Sequence, residues 1–424
     1  MRKRIYRAVD VKALNLDELR EVIKNQKIVL GVDVAKEDFV AALMNEKREV
    51  LSTIKWKHPM ETGMLLDVML HKLPWSFLDV AMEPSGTYGD AVRALFLGNG
   101  IKVYRVSPKR CHDAAEVYDG VPSLHDSKAA AIIGRLHLDG ASVEWWPLPE
   151  KAQRELRAAI KTMEIYDDAY YRNINRLESF LARHWPEVTQ HLKLTSATLL
   201  ELLITFGGPD RVAAEPEKAA ELMRRVGRSN LLVEKIDKVV ESAQQSMGVP
   251  CIEEERRHLI ELCREARRLQ QEARAAQERV ERLTRDTESI NAMVDVIGKK
   301  TAAVLHSELG DVSRYDNAGS YVKSMGLNLK EHSSGKHKGK LKITKRGSGT
   351  VRMYLFMAVL RLIQKNFIVQ AWYQCKIERD GGTKMKAVVA VMRKLARALW
   401  HVGQGKRFDA AKLFDVSRLG LVPV

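Results

Sequence analysis

Apolar and polar positions near the N-terminus predict a β-hairpin followed by further strands and helices. Residues 28–42 contain a β-branched run, a short polar turn and a second run with alternating apolar positions, and Asp33 falls inside the first predicted strand. Another strand ends at Glu83, the next begins at Ile101, and a later helix carries Asp126 near its start. Strands and helices in this order indicate a mixed α/β sheet.

The middle of the chain, from about Pro149 to Asp286, reads as long charged helices interrupted near residues 206–218 by a small helical insertion. Its later part carries a heptad pattern typical of a coiled coil. One amphipathic helix packed on its own domain would give the same pattern, but its length and charged flanks favour self-association, so we expect dimer contacts. The heptad positions are Leu259, Leu262, Ala266, Leu269, Ala273, Ala276, Val280 and Leu283.

The C-terminal third begins with a helix that ends at Gly298 and a second helix that starts within two or three residues. This pattern resembles a helix–hairpin–helix, whose glycine turn lets backbone amides approach a phosphate. A lysine-rich loop and further apolar helices follow. We therefore expect an α/β domain over residues 1–148, a helical insertion with a coiled coil over 149–290, and a basic, mainly helical domain over 291–424.

The composition is that of a globular protein with two or three folding units in its 424 residues. No apolar run is long enough to cross a membrane, and the basic N-terminus lacks the apolar stretch of a secretory signal. The four cysteines are scattered without zinc-ligand or disulfide-scaffold spacing. These features predict a reduced, cytoplasmic protein without membrane partners.

The formal charge of +16 is concentrated in one region. Residues 291–424 contain 25 Lys or Arg against 9 Asp or Glu, which leaves 45 residues of each sign in the rest of the chain. A solvated basic surface is the simpler interpretation, but such segregation favours a domain that binds nucleic acid, because cations that neutralise phosphates gain affinity through counterion release.

Three carboxylates could serve a metal site. Asp33 lies within a strand, Glu83 at a strand end and Asp126 at a helix start. Oxygen ligands of this kind suit hard divalent ions, and two such ions can stabilise phosphoryl transfer. Most single acids are merely solvated or cap a helix, as Asp126 could. An acid in the apolar run around Asp33 is harder to explain without a metal or a fixed partner.

A tract without acidic residues lies in the C-terminal third and begins just after Ser333 and Ser334. A serine can attack a phosphodiester when surrounding cations stabilise its alkoxide and the transition state. Serine pairs before glycine are also ordinary loop chemistry. The basic residues of the tract are Lys336, Lys338, Lys340, Lys342, Lys345 and Arg346, and Lys299 and Lys300 of the helix pair are further candidates for binding nucleic acid.

Segments along nearly the whole chain resemble the DEDD transposases of insertion sequences. The most specific are EPSGTY, which begins at Glu83, and the serine–glycine segment that continues to ITKRG. The resemblance implies a RuvC-like ribonuclease-H fold joined through a coiled coil to a transposase domain. It also implies a recombinase that uses a structured bridge RNA to pair with donor and target DNA.

The resemblance further assigns roles to individual residues. Asp33, Glu83 and Asp126 match the first three acids of the motif, which bind Mg²⁺, and Ser333 matches the nucleophile, with Ser334 as the alternate. In this family the active site pairs the metal domain of one protomer with the serine domain of another, so a dimer or tetramer is expected.

One position departs from the motif. The fourth acid is expected three residues after Asp126, where this chain has Ala129. Asp139 or Asp119 could substitute, the second metal site could be weakened, or cleavage could be blocked. The alternatives to a recombinase are a metal-dependent nuclease or junction resolvase without serine chemistry, and a non-catalytic nucleic-acid-binding protein.

Overall fold

The computed structural model describes residues 7–145, 150–331, 339 and 341–414. The chain divides into two compact units, one that ends at residue 149 and one that begins at Glu150. The first is a mixed α/β unit, and the second is almost entirely helical where it is described. This arrangement confirms the predicted class of α/β plus α.

A mixed sheet forms the centre of the first unit. Its strands, within residues 7–145, are β1 (Val9–Asp10), β2 (Lys27–Val34), β3 (Asp38–Asn45), β4 (Val50–Lys57), β5 (Phe77–Met82), β6 (Lys102–Val106) and β7 (Ser142–Glu144). They are ordered β1-β4-β3-β2-β5-β6-β7. Strands β2, β3 and β4 form an antiparallel meander, while β5 lies on the other side of β2 and runs parallel to it, as β6 does to β5.

The helices of the first unit cover this sheet, and one of them approaches it unusually closely. They are α1 (Leu16–Ile23), α2 (Thr62–Asp67), α3 (Asp90–Gly98), α4 (Pro108–Asp113) and α5 (Asp126–Leu138). Helix α5 packs on β2 and β3. A Cβ atom at Gly31 of β2 would stand 2.3 Å from the Ala130 carbonyl oxygen and 2.5 Å from the Gly134 nitrogen. Glycine at position 31 therefore lets the helix backbone rest directly on the strand.

The second unit contains a long antiparallel helical hairpin with a helical insertion between its arms. The arms are α6 (Lys151–His184) and α12 (Glu253–Thr284), and the insertion contains α7 (Val188–His191), α8 (Ala197–Phe206), α9 (Pro209–Ala214), α10 (Pro216–Gly227) and α11 (Val233–Gln244). The arms pack on each other along much of their length. Long helices with a helical segment between them thus lie where the sequence predicts them, while the domain bounds 149–290 stay a prediction.

The heptad seam of α12 is buried within the chain itself. Leu259, Leu262 and Leu269 are at most 7% exposed in the isolated chain. Leu259 and Leu269 share a core with Leu177 and Leu181 of α6 and with the insertion. The expectation that these leucines meet a second protomer is therefore wrong, because α6 of the same chain already covers the apolar stripe. At the end of the heptad run, Leu283 is 39% exposed.

The C-terminal helices pack on the base of the same hairpin. They are α13 (Glu288–Ile297), α14 (Lys299–Leu309), α15 (Ala318–Ser324), α16 (Gly349–Lys365), α17 (Phe367–Arg379), α18 (Lys384–Val402) and α19 (Ala410–Leu413), with a two-stranded ribbon of β8 (Leu329–Lys330) and β9 (Lys342–Ile343). Their core includes Ile160 and Met163 of α6 and Val280 of α12. The division of the helical part into two regions at residue 290 stays a prediction, since compactness alone joins both regions in one unit.

Three predicted elements around the candidate acids are present, and one strand was not predicted. The hairpin around Asp33, the strand before Glu83 and the helix from Asp126 are confirmed. The sequence analysis missed β4, although buried Ile54 and Trp56 alternate there with exposed lysines in the period of a half-buried strand. Within the residues that the structure describes, no helix is both long and apolar enough to span a bilayer.

Candidate active site

Asp33 and Glu83 lie at the carboxyl ends of two neighbouring parallel strands. Asp33 is the seventh residue of β2, half-buried between the buried Val32 and Val34. The parallel register pairs Val32 with Met82, the last residue of β5. Glu83 directly follows Met82, so the same register continued by one residue brings Glu83 beside Asp33.

Asp126 reaches the same place from a helix. It is the first residue of α5, where a carboxylate interacts favourably with the positive end of the helix dipole. The close approach of α5 to Gly31 holds the helix on the strand that carries Asp33. We call Asp33, Glu83 and Asp126 the acidic cluster.

The electrostatics of Asp33 show that these three carboxylates interact. Burial is the largest cause that raises the pKa of Asp33, the negative charges of Asp126 and then Glu83 add to it, and a hydrogen bond from the Val34 amide opposes them, so that the pKa is about 6. Burial and like charge both disfavour the ionised carboxylate. A cation within the cluster would relieve that repulsion.

The ligand chemistry of the acidic cluster fits a hard divalent ion. All three groups offer carboxylate oxygens, although among the described residues they do not bring one oxygen each within 4.8 Å of the others. An ion such as Mg²⁺ does not need that closeness, because it commonly keeps several waters and uses one or two carboxylates together with substrate phosphates.

Cys111 is a neighbour of the cluster that the sequence analysis did not single out. It lies on α4, is 2% exposed, and its thiol donates a hydrogen bond to the Glu83 carboxylate. Burial, followed by the charge of Glu83, raises the pKa of the thiol far above its ordinary value. A neutral thiol here restrains the Glu83 carboxylate. Because Cys111 lies in a polar stretch, no sequence pattern indicated that it belongs to this site.

Part of the basic tract in the second unit is held on a rigid turn. Lys342 lies on β9, Lys345 and Arg346 follow it, and all three are exposed. Within the described part of the chain, none of the three forms an ion pair. The remaining candidates of this tract, Ser333, Ser334, Lys336, Lys338 and Lys340, lie outside the described residues.

The turn after β9 is fixed by backbone contacts. The amide of Lys345 donates to the Gly326 carbonyl at 2.9 Å, and the amide of Thr344 donates to the Asn328 carbonyl at 2.9 Å. A Cβ atom at Gly347 would stand 2.2 Å from the Ser324 carbonyl oxygen. The glycines of this region therefore allow two chain segments to touch, and the exposed cations project from a well-supported base.

The predicted helix pair is present, but its two lysines are not equally available. Helix α13 ends at Ile297, Gly298 adopts a φ of 80°, and α14 begins at Lys299. Lys299 is largely exposed and lies 3.3 Å from Glu281. Lys300 forms an ion pair with Asp167 and lies over the ring of Tyr354. Lys300 is thus engaged within the protein.

Two family models match the chain in the order expected from these sites. Residues 30–186 match a transposase model of the IS110 DEDD type, and residues 292–374 match the model described as transposase IS116/IS110/IS902 family. Together they cover more than half of the sequence. The chain belongs to the IS110 family of DEDD transposases. No curated protein matches it.

Family membership identifies this transposase as a DNA-recombining enzyme, so the non-catalytic alternative is excluded. It also indicates dependence on a divalent metal. The first match contains the whole acidic cluster, and the second contains the serine pair and its basic tract.

The structure also bears on the fourth acid of the DEDD motif. Ala129 is buried in the first turn of α5, at 7% exposure. Asp119 accepts a hydrogen bond from the buried Lys128 ammonium at 2.8 Å. Asp139 accepts from the Tyr118 hydroxyl at 2.7 Å and lies at the opposite end of α5, about 20 Å along the helix from Asp126. Both candidate substitutes are therefore engaged elsewhere.

Proposed function

We propose that this transposase cuts and rejoins DNA by phosphodiester transesterification, with Ser333 as nucleophile and Mg²⁺ held by Asp33, Glu83 and Asp126. The observation that carries the proposal is the acidic cluster, in which burial and two neighbouring carboxylates raise the pKa of Asp33 to about 6. That repulsion is what a bound cation would offset.

The first unit supports a RuvC-like ribonuclease-H fold. Its central strands run in the order β4-β3-β2-β5-β6, with an antiparallel meander followed by parallel strands. This order is typical of ribonuclease-H-like sheets. It puts Asp33 on the central strand, where acids from β5 and α5 can join it.

The proposed chemistry divides between the metal and the chain. When bound, Mg²⁺ supplies positive charge to the scissile phosphate and to the oxygens that attack and leave. The Ser333 hydroxyl loses its proton as its oxygen forms a bond to phosphorus, the bond from phosphorus to one DNA strand oxygen breaks, and a proton passes to that oxygen, which leaves as a hydroxyl. Reversal of this step by a different strand hydroxyl releases the serine and joins the DNA.

The basic tract is suited to hold the phosphates near Ser333. Three exposed cations lie on β9 and the turn after it, which backbone contacts hold in place: Lys342, Lys345 and Arg346. Lys299 is a further exposed candidate on the helix pair. Cations placed in this way contact the nucleic-acid backbone without reading its sequence. Lys300 is less available to bind nucleic acid because it forms an ion pair with Asp167.

The proposed partners are donor DNA, target DNA and a structured non-coding bridge RNA in the cytoplasm of a prokaryotic cell. The excess of 16 positive charges in residues 291–424 supports polyanion binding. The protein acts as a dimer or tetramer in which the acidic cluster of one protomer serves the serine of another. Since the heptad seam is already covered by α6, that assembly uses other surfaces.

The deciding experiment looks for a covalent protein–DNA species. Full-length protein, copurified RNA and labelled DNA are incubated with Mg²⁺ and separated under denaturing conditions. We expect a DNA-linked protein band that Ser333→Ala removes and Ser334→Ala retains, while DNA affinity stays nearly unchanged in both.

The outcomes separate this mechanism from its rival. Metal-dependent cleavage that survives Ser333→Ala and Ser334→Ala, without any covalent species, would identify a hydrolytic nuclease. Loss of the band in Ser334→Ala alone would move the nucleophile by one residue.

A further inference from the structure

Three side chains of different chemistry meet in the second unit, at the place where the helical insertion joins its hairpin. His184 is the last residue of α6, Cys251 lies in the segment before α12, and Glu255 is the third residue of α12. One ligand atom from each lies within 4.8 Å of the other two. Among the described residues, no other three histidine, cysteine or carboxylate side chains lie this close together. We call it the mixed-ligand cluster.

We propose that His184, Cys251 and Glu255 bind one thiophilic divalent cation of the Zn²⁺ class. A thiolate, an imidazole and a carboxylate are together suited to Zn²⁺, whereas Mg²⁺ selects oxygen ligands alone. The site would be separate in chemistry from the acidic cluster.

The imidazole of His184 is already oriented for a metal. Its Nδ1 lies 2.8 Å from the Val249 carbonyl oxygen. A carbonyl can only accept, so Nδ1 donates to it, and the other ring nitrogen, Nε2, faces Glu255. A hydrogen bond from the second ring nitrogen to a carbonyl is the usual support of a metal-bound histidine.

The distance between His184 and Glu255 leaves room for an ion. Nε2 of His184 and Oε1 of Glu255 are 3.7 Å apart, which is too long for a direct hydrogen bond. A cation between Nε2 of His184 and Oε1 of Glu255 would be a ligand partner for both, and the side chain of His184, only 3% exposed, has little access to water.

The carboxylate and the thiol are held by the local backbone. Oε2 of Glu255 accepts a hydrogen bond from the Ile252 amide at 3.2 Å, while Oε1 faces His184 and lies 3.6 Å from the Arg183 guanidinium. The Val249 amide donates to the Arg183 carbonyl at 2.9 Å. A Cβ atom at Gly248 would stand 2.2 Å from the His184 carbonyl oxygen, so the segment before Cys251 lies directly on the end of α6.

Binding at this cluster would link the two ends of the helical insertion. His184 precedes residues 185–252, and Glu255 follows them, so one ion joins the two ends of the insertion. Three protein ligands leave a fourth position for water, and the partial exposure of Cys251 and Glu255 gives an entry path. The ion would displace the thiol proton on binding, which makes affinity fall with decreasing pH.

Cobalt is the probe that distinguishes this cluster from the acidic cluster. Reduced full-length protein is saturated with Mg²⁺ and titrated with Co²⁺, whose bond to a thiolate produces a charge-transfer absorption. We expect one Co²⁺ per chain with this absorption, its displacement by Zn²⁺, and its loss in Cys251→Ser. Glu255→Gln, which keeps the hydrogen bond to Ile252, should weaken binding about tenfold or more.

The other cysteines are the controls. Cys111→Ser, Cys263→Ser and Cys375→Ser should retain the absorption, and Cys111 matters most because its thiol neighbours the acidic cluster. Zn²⁺ should also raise the thermal midpoint of wild type by a few degrees but not that of Cys251→Ser. Absence of the thiolate absorption in wild type, or its survival in Cys251→Ser, would overturn the proposal. If Cys251→Ser does not fold, the Co²⁺ titration of Glu255→Gln tests the proposal instead. An unchanged affinity for Co²⁺ in Glu255→Gln would also overturn the proposal.

Discussion

The acidic cluster and the mixed-ligand cluster bring ligands together in different ways. The first brings together carboxylates from two parallel strands and a helix, and burial followed by the charges of its other two members raises the pKa of Asp33. The second takes nitrogen, sulfur and oxygen ligands from the ends of two long helices and the segment between them, with a histidine fixed by a backbone carbonyl. Ligand type, rather than closeness alone, therefore indicates which kind of cation each cluster suits.

The largest expected effect is on catalysis by Asp33→Asn. Loss of this anionic ligand should reduce single-turnover cleavage by at least about 100-fold in Mg²⁺ at saturating DNA, because charge stabilisation of the reacting phosphate is lost. Asp38→Asn, at the exposed start of β3, is the matched control and should stay within about twofold.

The same variant tests whether the clusters are independent. Asp33→Asn should leave the cobalt–thiolate absorption unchanged. Cleavage at the wild-type rate in Asp33→Asn would remove the acidic cluster from the mechanism.

The next effect is a pH dependence of cleavage that arises in the acidic cluster. With a pKa of about 6, Asp33 is ionised above pH 6 and protonated below it, so a proton competes with the metal as pH falls. Single-turnover cleavage should decline about tenfold for each pH unit below 6. Rates at fixed Mg²⁺ between pH 5 and 8 measure this, and a flat profile would show that ionisation of Asp33 is not required.

A smaller effect concerns stability without metal. The pKa of Asp33 is about 6 in the folded protein against an ordinary value of 3.8, so its protonation favours the fold at low pH, and that contribution is lost as pH rises through 6. Asp33→Asn removes the ionised group and should raise the free energy of unfolding by about 1–2 kcal/mol at pH 7 in chelator, after allowance for partial solvent screening.

Denaturant unfolding at pH 7 and below pH 4 checks the stability prediction. The gain should vanish at the lower pH, where Asp33 is protonated in both folded and unfolded states. Equal stability of Asp33→Asn and wild type at pH 7 would show that the ionised Asp33 carboxylate does not destabilise the folded protein.

The smallest expected effect comes from restoring the fourth acid. Ala129→Asp should raise the single-turnover cleavage rate by roughly threefold to tenfold in Mg²⁺, because a further anionic ligand strengthens the second ion, with DNA affinity unchanged. Without metal the buried carboxylate should lower the free energy of unfolding by about 1–3 kcal/mol. Asp139→Ala is the control, and its inactivity would mean that the far end of α5 takes part after all.

Sequence and structure agree best where local pattern and covalent order decide the outcome. The alternation around Asp33 predicts the hairpin, and the strand that ends before Glu83 predicts the position of the second acid. The heptads of α12 predict a buried apolar stripe, which is present, but not what buries it. A stripe of leucines is equally satisfied by a second chain or by α6, and only the fold of this chain brings α6 to that face.

By itself, the sequence determined most of the elements, the candidate acids, the concentration of positive charge in the C-terminal third and the family. These follow from periodicity, residue type and order, which are local properties of the chain. Tertiary structure decided that Cys111 meets Glu83 and that His184, Cys251 and Glu255 converge. Such contacts join residues distant in sequence, and they depend on how whole helices and strands pack, which no local pattern specifies.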